Sequence, residues 1–262
     1  MVCNGMRAQQ LLLKRIRALI PPRSPSSVFL RRQLWTTRRC LGPENGTANK
    51  LPPAAAPSHT LIYPGAPATG HHDLITFLDY ADRTGLDHGS PTFVGTHFEY
   101  TVASALLSFG FHLHRIGGQS DFGIDLLGTW SVPPSSGKPL QVLLQCKAIK
   151  KPGPHLIREL EGAFVGAPAG WRGSGVLGLL VIERPATKGM RDALGRSRWP
   201  MGCISCSRAG TVEQILWNRR AEEEGLEGMG VGTRYSPDGE GTQQLVLTFK
   251  GRHLAFGQDE AE

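Results

Sequence analysis

The spacing of apolar residues changes period along the chain, and each change predicts an element. Over 73–83, Leu74, Phe77, Leu78 and Ala81 recur at helical spacing, which predicts a short amphipathic helix. Phe98, Val102, Ala105, Leu106 and Phe109 predict a longer helix over 92–109, ended by Gly110. From Phe111 onward the pattern is that of strands. They are expected at 111–116, 124–130 and 140–147, separated by a turn with Gly117, Gly118 and Gly123 and a loop with Pro133, Pro134 and Gly137. Pro154 opens a helix to about 164. The continuous apolar run at 175–182 predicts a strand buried on both faces. A helix at about 186–194 and a short strand at 201–205 follow. Thr211 and Gln214 form a capping-box pattern, which predicts a helix through Arg220. A last hairpin fits 231–235 and 244–250. The order α-β-β-β-α-β-α-β predicts a mixed α/β domain.

Composition narrows the class. The chain has 262 residues, 40% of them hydrophobic, enough for one well-buried core. It holds no run of apolar residues long enough to span a membrane. Five cysteines in this length do not make a disulfide scaffold. Cys203 and Cys206 form a lone CxxC without the second ligand pair that zinc needs, and read as buried strand residues. The glycines from Gly173 to Gly178 precede a strand instead of following one, which argues against dinucleotide binding. His71 and His72 read as surface residues.

The net charge of +7 belongs to one end. Residues 1–43 carry nine basic side chains and no acid, so +7 less +9 leaves −2 for residues 44–262. An Arg-rich, acid-free start is the composition of a mitochondrial transit peptide, with the matrix as destination; a disordered basic tail is the alternative. Residues 44–70 are rich in Pro, Ala and Gly and read as a linker. The expected organisation is a disordered presequence at 1–43, the linker, a domain at 71–210 with its core at about 90–206, and a C-terminal extension at 211–262.

The chemistry concentrates on two strands. If the strands at 124–130 and 140–147 form a hairpin about the 133–137 loop, Asp125 falls opposite Gln145, roughly 5 Å away. Alternation puts Gln145 and Lys147 on one face and Cys146 on the other. A carboxylate, an amide and an ammonium then converge among apolar neighbours, which costs desolvation unless something is coordinated there. Asp125 and the side-chain oxygen of Gln145, with the Cys146 backbone carbonyl, are suitable hard ligands for Mg²⁺ or Mn²⁺. Lys147 would orient or help deprotonate water, or stabilise phosphate charge. Glu99 could add a second carboxylate, or be a solvated helix residue. Lys188, Arg191, Arg196 and Arg198 form a basic cluster that either touches phosphates or faces solvent.

Four pieces in order carry a resemblance: Gly95-Thr-His-Phe-Glu99, Gly110-Phe111, the run from Gly117 through Asp121 to Asp125, and Leu144-Gln-Cys-Lys147. Together they resemble the PD-(D/E)XK nuclease superfamily, with the Gln-X-Lys ending similar to its Mrr-type branch. With the leader, the chain resembles the fungal mitochondrial "required for respiratory growth" family, member seven. The resemblance implies a restriction-endonuclease-like core of α-β-β-β-α-β order with flanking helices. It implies a Mg²⁺- or Mn²⁺-dependent endonuclease acting on mitochondrial DNA in support of respiratory growth. The catalytic residues would be Asp125, Gln145, Lys147 and Glu99, with Asp121 as a supporting acid; by itself Asp121 also reads as a turn residue. Many nucleases of this fold are homodimers, though nothing in the sequence marks an interface. Gln145 stands where the superfamily more commonly has an acid. A neutral ligand weakens metal binding, so a non-catalytic factor that binds DNA or protein is the alternative.

Overall fold

The computed structural model describes residues 63, 70–116, 122–133, 139–235 and 243–256. Presequence, linker (but for residues 63 and 70) and Asp121 lie outside them. Residues Ile62–Glu262 form one compact unit.

Helix α1, Leu74–Thr84, starts at Asp73, whose carboxylate accepts from the Thr76 N–H at 2.8 Å while the Thr76 hydroxyl accepts from the Asp73 N–H at 3.1 Å. It buries Leu74, Phe77 and Ala81. Helix α2, Pro91–Leu106, is capped by Ser90, with Pro91 in the first turn where its missing N–H costs nothing. A 3-10 turn, Leu107–Phe109, tightens its end, and Gly110 reverses the chain at φ 81°. Any side chain at Gly110 would also clash with the Phe256 ring. Trp130 stacks on Phe111 with ring centroids 4.4 Å apart, and its indole N–H donates to the Phe109 carbonyl at 3.0 Å.

The main sheet has six strands in sequence order: β1 Phe111–Arg115, β2 Leu126–Trp130, β3 Leu140–Lys147, β4 Val176–Ile182, β5 Met201–Cys206 and β6 Val212–Trp217. β1, β2 and β3 are antiparallel neighbours; β3, β4 and β5 are parallel; β6 returns antiparallel to β5. Each parallel crossover carries a helix: α3, His155–Val165, joins β3 to β4, and α4, Lys188–Arg196, joins β4 to β5. All of β4 and β5 is buried, as an apolar run between two helical layers requires. Phe98, Val102 and Leu106 of α2 pack on one face against Val142, Leu144, Leu179 and Val181. α3 covers the other, where Gly178 makes room for Phe164. Each large apolar side chain buried this way contributes about 1.5–3 kcal/mol. Among the described residues, no helix is long and apolar enough to cross a membrane.

Two expectations are corrected. Residues 211–220 do not form a helix. Thr211 closes a tight turn, its N–H donating to the Ser207 hydroxyl at 3.1 Å, and 212–217 is strand β6. Gln214 accepts from the Ala186 N–H at 2.9 Å instead of capping a helix. Pairing along the open edge of β5 outweighs a local capping pattern. The described part of the expected C-terminal extension joins the same unit. β6 completes the main sheet, the one-turn helix α5 Arg219–Ala221 follows, and Ala221, Leu226 and Leu247 join the central core. A three-stranded sheet of β7 Met229–Tyr235, β8 Gln243–Phe249 and β9 Arg252–His253 ends the unit. Secondly, His71 is buried, 8% exposed, with its Nδ1 2.8 Å from the Tyr100 hydroxyl.

Candidate functional site

The β2–β3 hairpin has the register that the sequence arithmetic requires. Leu126 pairs with Leu144, Leu127 with Leu143 and Trp130 with Leu140, so continuing the ladder by one step sets Asp125 opposite Gln145. Asp125 sits just before β2 with a fixed backbone. Its N–H donates to the Leu144 carbonyl and its carbonyl accepts from Ile116 N–H, both at 2.9 Å. The carboxylate Oδ2 accepts from the Cys146 N–H at 2.7 Å. Asp125 and the Gln145–Cys146 peptide are thus brought together at the end of β3.

Gln145 is 2% exposed. Its Nε2 donates to Glu159 Oε1 at 3.2 Å, while its Oε1 is buried with no hydrogen-bond partner among the described residues. Gly123, at φ 74°, allows the preceding turn to approach, since a side chain there would meet Gln145 Nε2 at 3.2 Å. Lys147 Nζ lies 2.6 Å from the same Glu159 oxygen. Glu159 therefore ties together the two expected polar residues of β3, and sequence reasoning missed it. The available signal was its place beside the apolar face of α3 (Leu156, Ile157, Leu160), the face that must fold back onto the sheet.

Glu99 reaches the strand end from the α2 side. It is ion-paired with Arg115, each only 12% exposed, and Arg115 also lies 5.6 Å from the Tyr100 ring centroid. The Cys146 thiol faces that side. Burial, then the negative charges of Asp125 and Glu99, hold its pKa well above the usual thiol value, with Lys147 opposing. Cys146 is therefore a neutral thiol and no nucleophile at neutral pH. Among the described residues, no group of three or more His, Cys, Asp or Glu side chains could by itself hold a metal. Any metal there would need amide or carbonyl oxygens beside the carboxylates.

The expected basic cluster is divided. Lys188 pairs with Asp192 at 3.0 Å, and Arg191 Nη1 donates to the Ala186 carbonyl at 2.6 Å. The start of α4, where Gly189 lies against Pro154, is at the Lys147 end of the sheet. Arg196, the last residue of α4, and Arg198, just past it, line a different cleft at the other end of that helix.

Fold and site define a mixed α/β protein in which Asp125, just before β2, is bonded to the Gln145–Lys147 end of β3. The chain belongs to the "required for respiratory growth protein 7" family, whose profile matches residues 90–138 and 135–235, more than half its length. It is also similar to an uncharacterized mitochondrial protein of Schizosaccharomyces pombe, 30% identical over 155 residues. That match spans 58% of this chain and about 61% of the yeast protein. No solved structure matches the chain.

Proposed function

We propose that the protein is a mitochondrial, Mg²⁺- or Mn²⁺-dependent phosphodiesterase with a restriction-endonuclease-like core, acting on DNA. One observation carries the reading: the Asp125 carboxylate is bonded to the Cys146 N–H, between Gln145 and Lys147, and the Gln145 oxygen is buried without a partner among the described residues. An orphaned buried amide oxygen costs about 1–3 kcal/mol, a cost that a cation would remove. The donors also fit, being hard oxygens: the Asp125 carboxylate, Gln145 Oε1 and the Cys146 carbonyl, with Glu159 next to them. A divalent cation held there would polarise a phosphodiester and neutralise its developing charge. Lys147 would hold a water or a phosphate oxygen, and Glu159 would keep its ammonium in place. The peptide N–H of Cys146 fixes the rotamer of Asp125. The mitochondrial setting is supported by the family name, by the yeast relative and by the composition of residues 1–43.

The test is incubation of the protein with supercoiled and branched DNA in Mg²⁺, Mn²⁺ or EDTA, alongside Lys147→Ala. The expected result is metal-dependent cutting that the folded variant lacks. A second reading, a nuclease fold that binds DNA without turnover, is favoured by the neutral Gln145 and by the pairing of Lys147 with Glu159. Binding without cutting in every metal would establish it.

A further inference from the structure

The polar surface at the opposite end of the sheet is built as a second site. Lys147, Ile182 and Ser205 share one row of the parallel strands, while Met201 pairs with Gly178 four residues back along β5. That displacement is roughly 13 Å along the strands. Beyond the Met201 end lies a cleft of about 500 Å³ lined by Arg196, Arg198, Arg219 and Arg220, with Glu223 as its one acid. Glu223 is occupied: it lies 3.0 Å from both Arg219 and Arg220. Arg196 and Arg198 form no ion pair among the described residues. Arg196 at the C-terminus of α4 suits the helix dipole, but that does not account for Arg198, which lies past the helix.

The guanidiniums sit on segments that are bolted together. Asn218, 5% exposed, accepts from the N–H groups of Met201 and Ala221 at 3.1 and 3.0 Å. Its Nδ2 donates to the carbonyls of Leu194 and Trp199 at 3.2 and 2.8 Å. Ser197 adds a hydrogen bond to Glu161 at 2.6 Å. The loop carrying Arg196 and Arg198 and the turn carrying Arg219 and Arg220 are thereby held against each other. Trp199, 43% exposed, follows Arg198 directly; its indole lies 5.7 Å from the Phe164 ring and leaves part of its surface open beside the cleft. A group of exposed arginines on a fixed backbone, beside a partly exposed indole, suits a chain of phosphates that carries bases.

We propose that this cleft binds the sugar-phosphate backbone of a single-stranded nucleic acid, as an exosite separate from the Asp125–Lys147 centre. The proposal does not rest on hydrolysis, because binding is read in EDTA, where no metal-dependent step occurs. The full chain is titrated onto a fluorescent oligodeoxythymidylate by anisotropy at several salt concentrations. Arg196→Ala/Arg198→Ala should lose about tenfold in affinity, and its slope of log affinity against log salt should fall by about 1.4, at about 0.7 per phosphate. Arg196→Lys/Arg198→Lys should keep most of that slope. Glu223→Gln should change affinity the other way, tightening it severalfold. The basic residues of 1–43 give a background common to all variants. Cross-linking to a bromodeoxyuridine oligonucleotide resolves that background, and should label the peptide containing Trp199. Unchanged affinity and slope in both charge variants would overturn the proposal, as would cross-links confined to other peptides. So would equal competition by inorganic phosphate at matched phosphate concentration, which would make this a single-anion site. Preferential binding of phosphatidylglycerol vesicles through these arginines would overturn it in favour of a membrane surface.

Discussion

Glu159 is the residue on which the two readings of the site diverge. Its pair with Lys147 is partly exposed, 30% and 45% for the two side chains. Exposed pairs are worth about 0–1 kcal/mol, so Glu159→Gln should leave the melting temperature nearly unchanged. If the site is hydrolytic, the same substitution loosens Lys147 and Gln145 and should lower metal-dependent cleavage about ten- to a hundredfold. Thermal denaturation beside a cleavage assay checks both halves. A second prediction at this scale concerns pH. Burial, then Arg115 and His72, hold His71 below the usual imidazole value, and burial, then Arg208 and His88, do the same for His97. Each binds its proton less readily in the folded protein than in the unfolded chain, which takes up protons as pH falls through about 6.5. The unfolded state then binds more protons, so stability present above that pH is lost as pH falls toward the folded-state values. The urea midpoint should be lower at pH 5 than at pH 7, and His71→Gln should shrink the difference. The sequence could not place His71 inside, because its burial depends on Tyr100, whose hydroxyl it meets across 29 residues. Asp125 opposite Gln145 was legible, since antiparallel register is arithmetic once the loop is known. Glu159 was not, because nothing local sets the rotation of α3 against β3.

At the scale of elements, legibility follows how a segment is stabilised. The strand at 176–182 and α2 carry their own signals, an unbroken apolar run and a capped periodic stripe, and their burial matches those signals. β6 carries a misleading one. Val212 and Ile215 are spaced like neighbours on a helix face, and Thr211 with Gln214 imitates a cap. What decides the segment is the edge of β5, where Ile204 pairs with Ile215 and Cys203 with Leu216. A strand defined by its partner should fail when its contact with the core is removed. Ile215→Ala, at a site 4% exposed, should cost about 2–5 kcal/mol. Glu213→Ala, at the exposed, unpaired bulge residue of the same strand, should stay within about 0.5 kcal/mol. Urea denaturation of the two variants measures the contrast. A large effect at Glu213 would mean that the bulge, and not the Ile215 contact, holds the strand in place.

The whole molecule is electrostatically split. Nine basic residues and no acid fall within 1–43, and the remaining 219 positions sum to −2. Long-range attraction to a polyanion follows net charge, so the leader should dominate weak binding of the full chain at low salt. Binding by residues 44–262 must instead rely on local geometry. A body of net −2 repels a phosphate backbone on average, and only a confined positive group such as the cleft near Arg196 offsets that repulsion within a Debye length of about 10 Å. Removing residues 1–43 should therefore abolish retention on a cation exchanger at pH 7. It should also lower the affinity for DNA at low salt by more than an order of magnitude, and flatten the salt dependence. If the site is hydrolytic, metal-dependent cleavage at saturating DNA should survive, because Asp125, Gln145, Lys147 and Glu159 all lie within the compact unit Ile62–Glu262. Side-by-side titration and cleavage assays of the two forms check this. If cleavage were lost with residues 1–43 while the sheet stayed folded, those residues would have to take part in the chemistry.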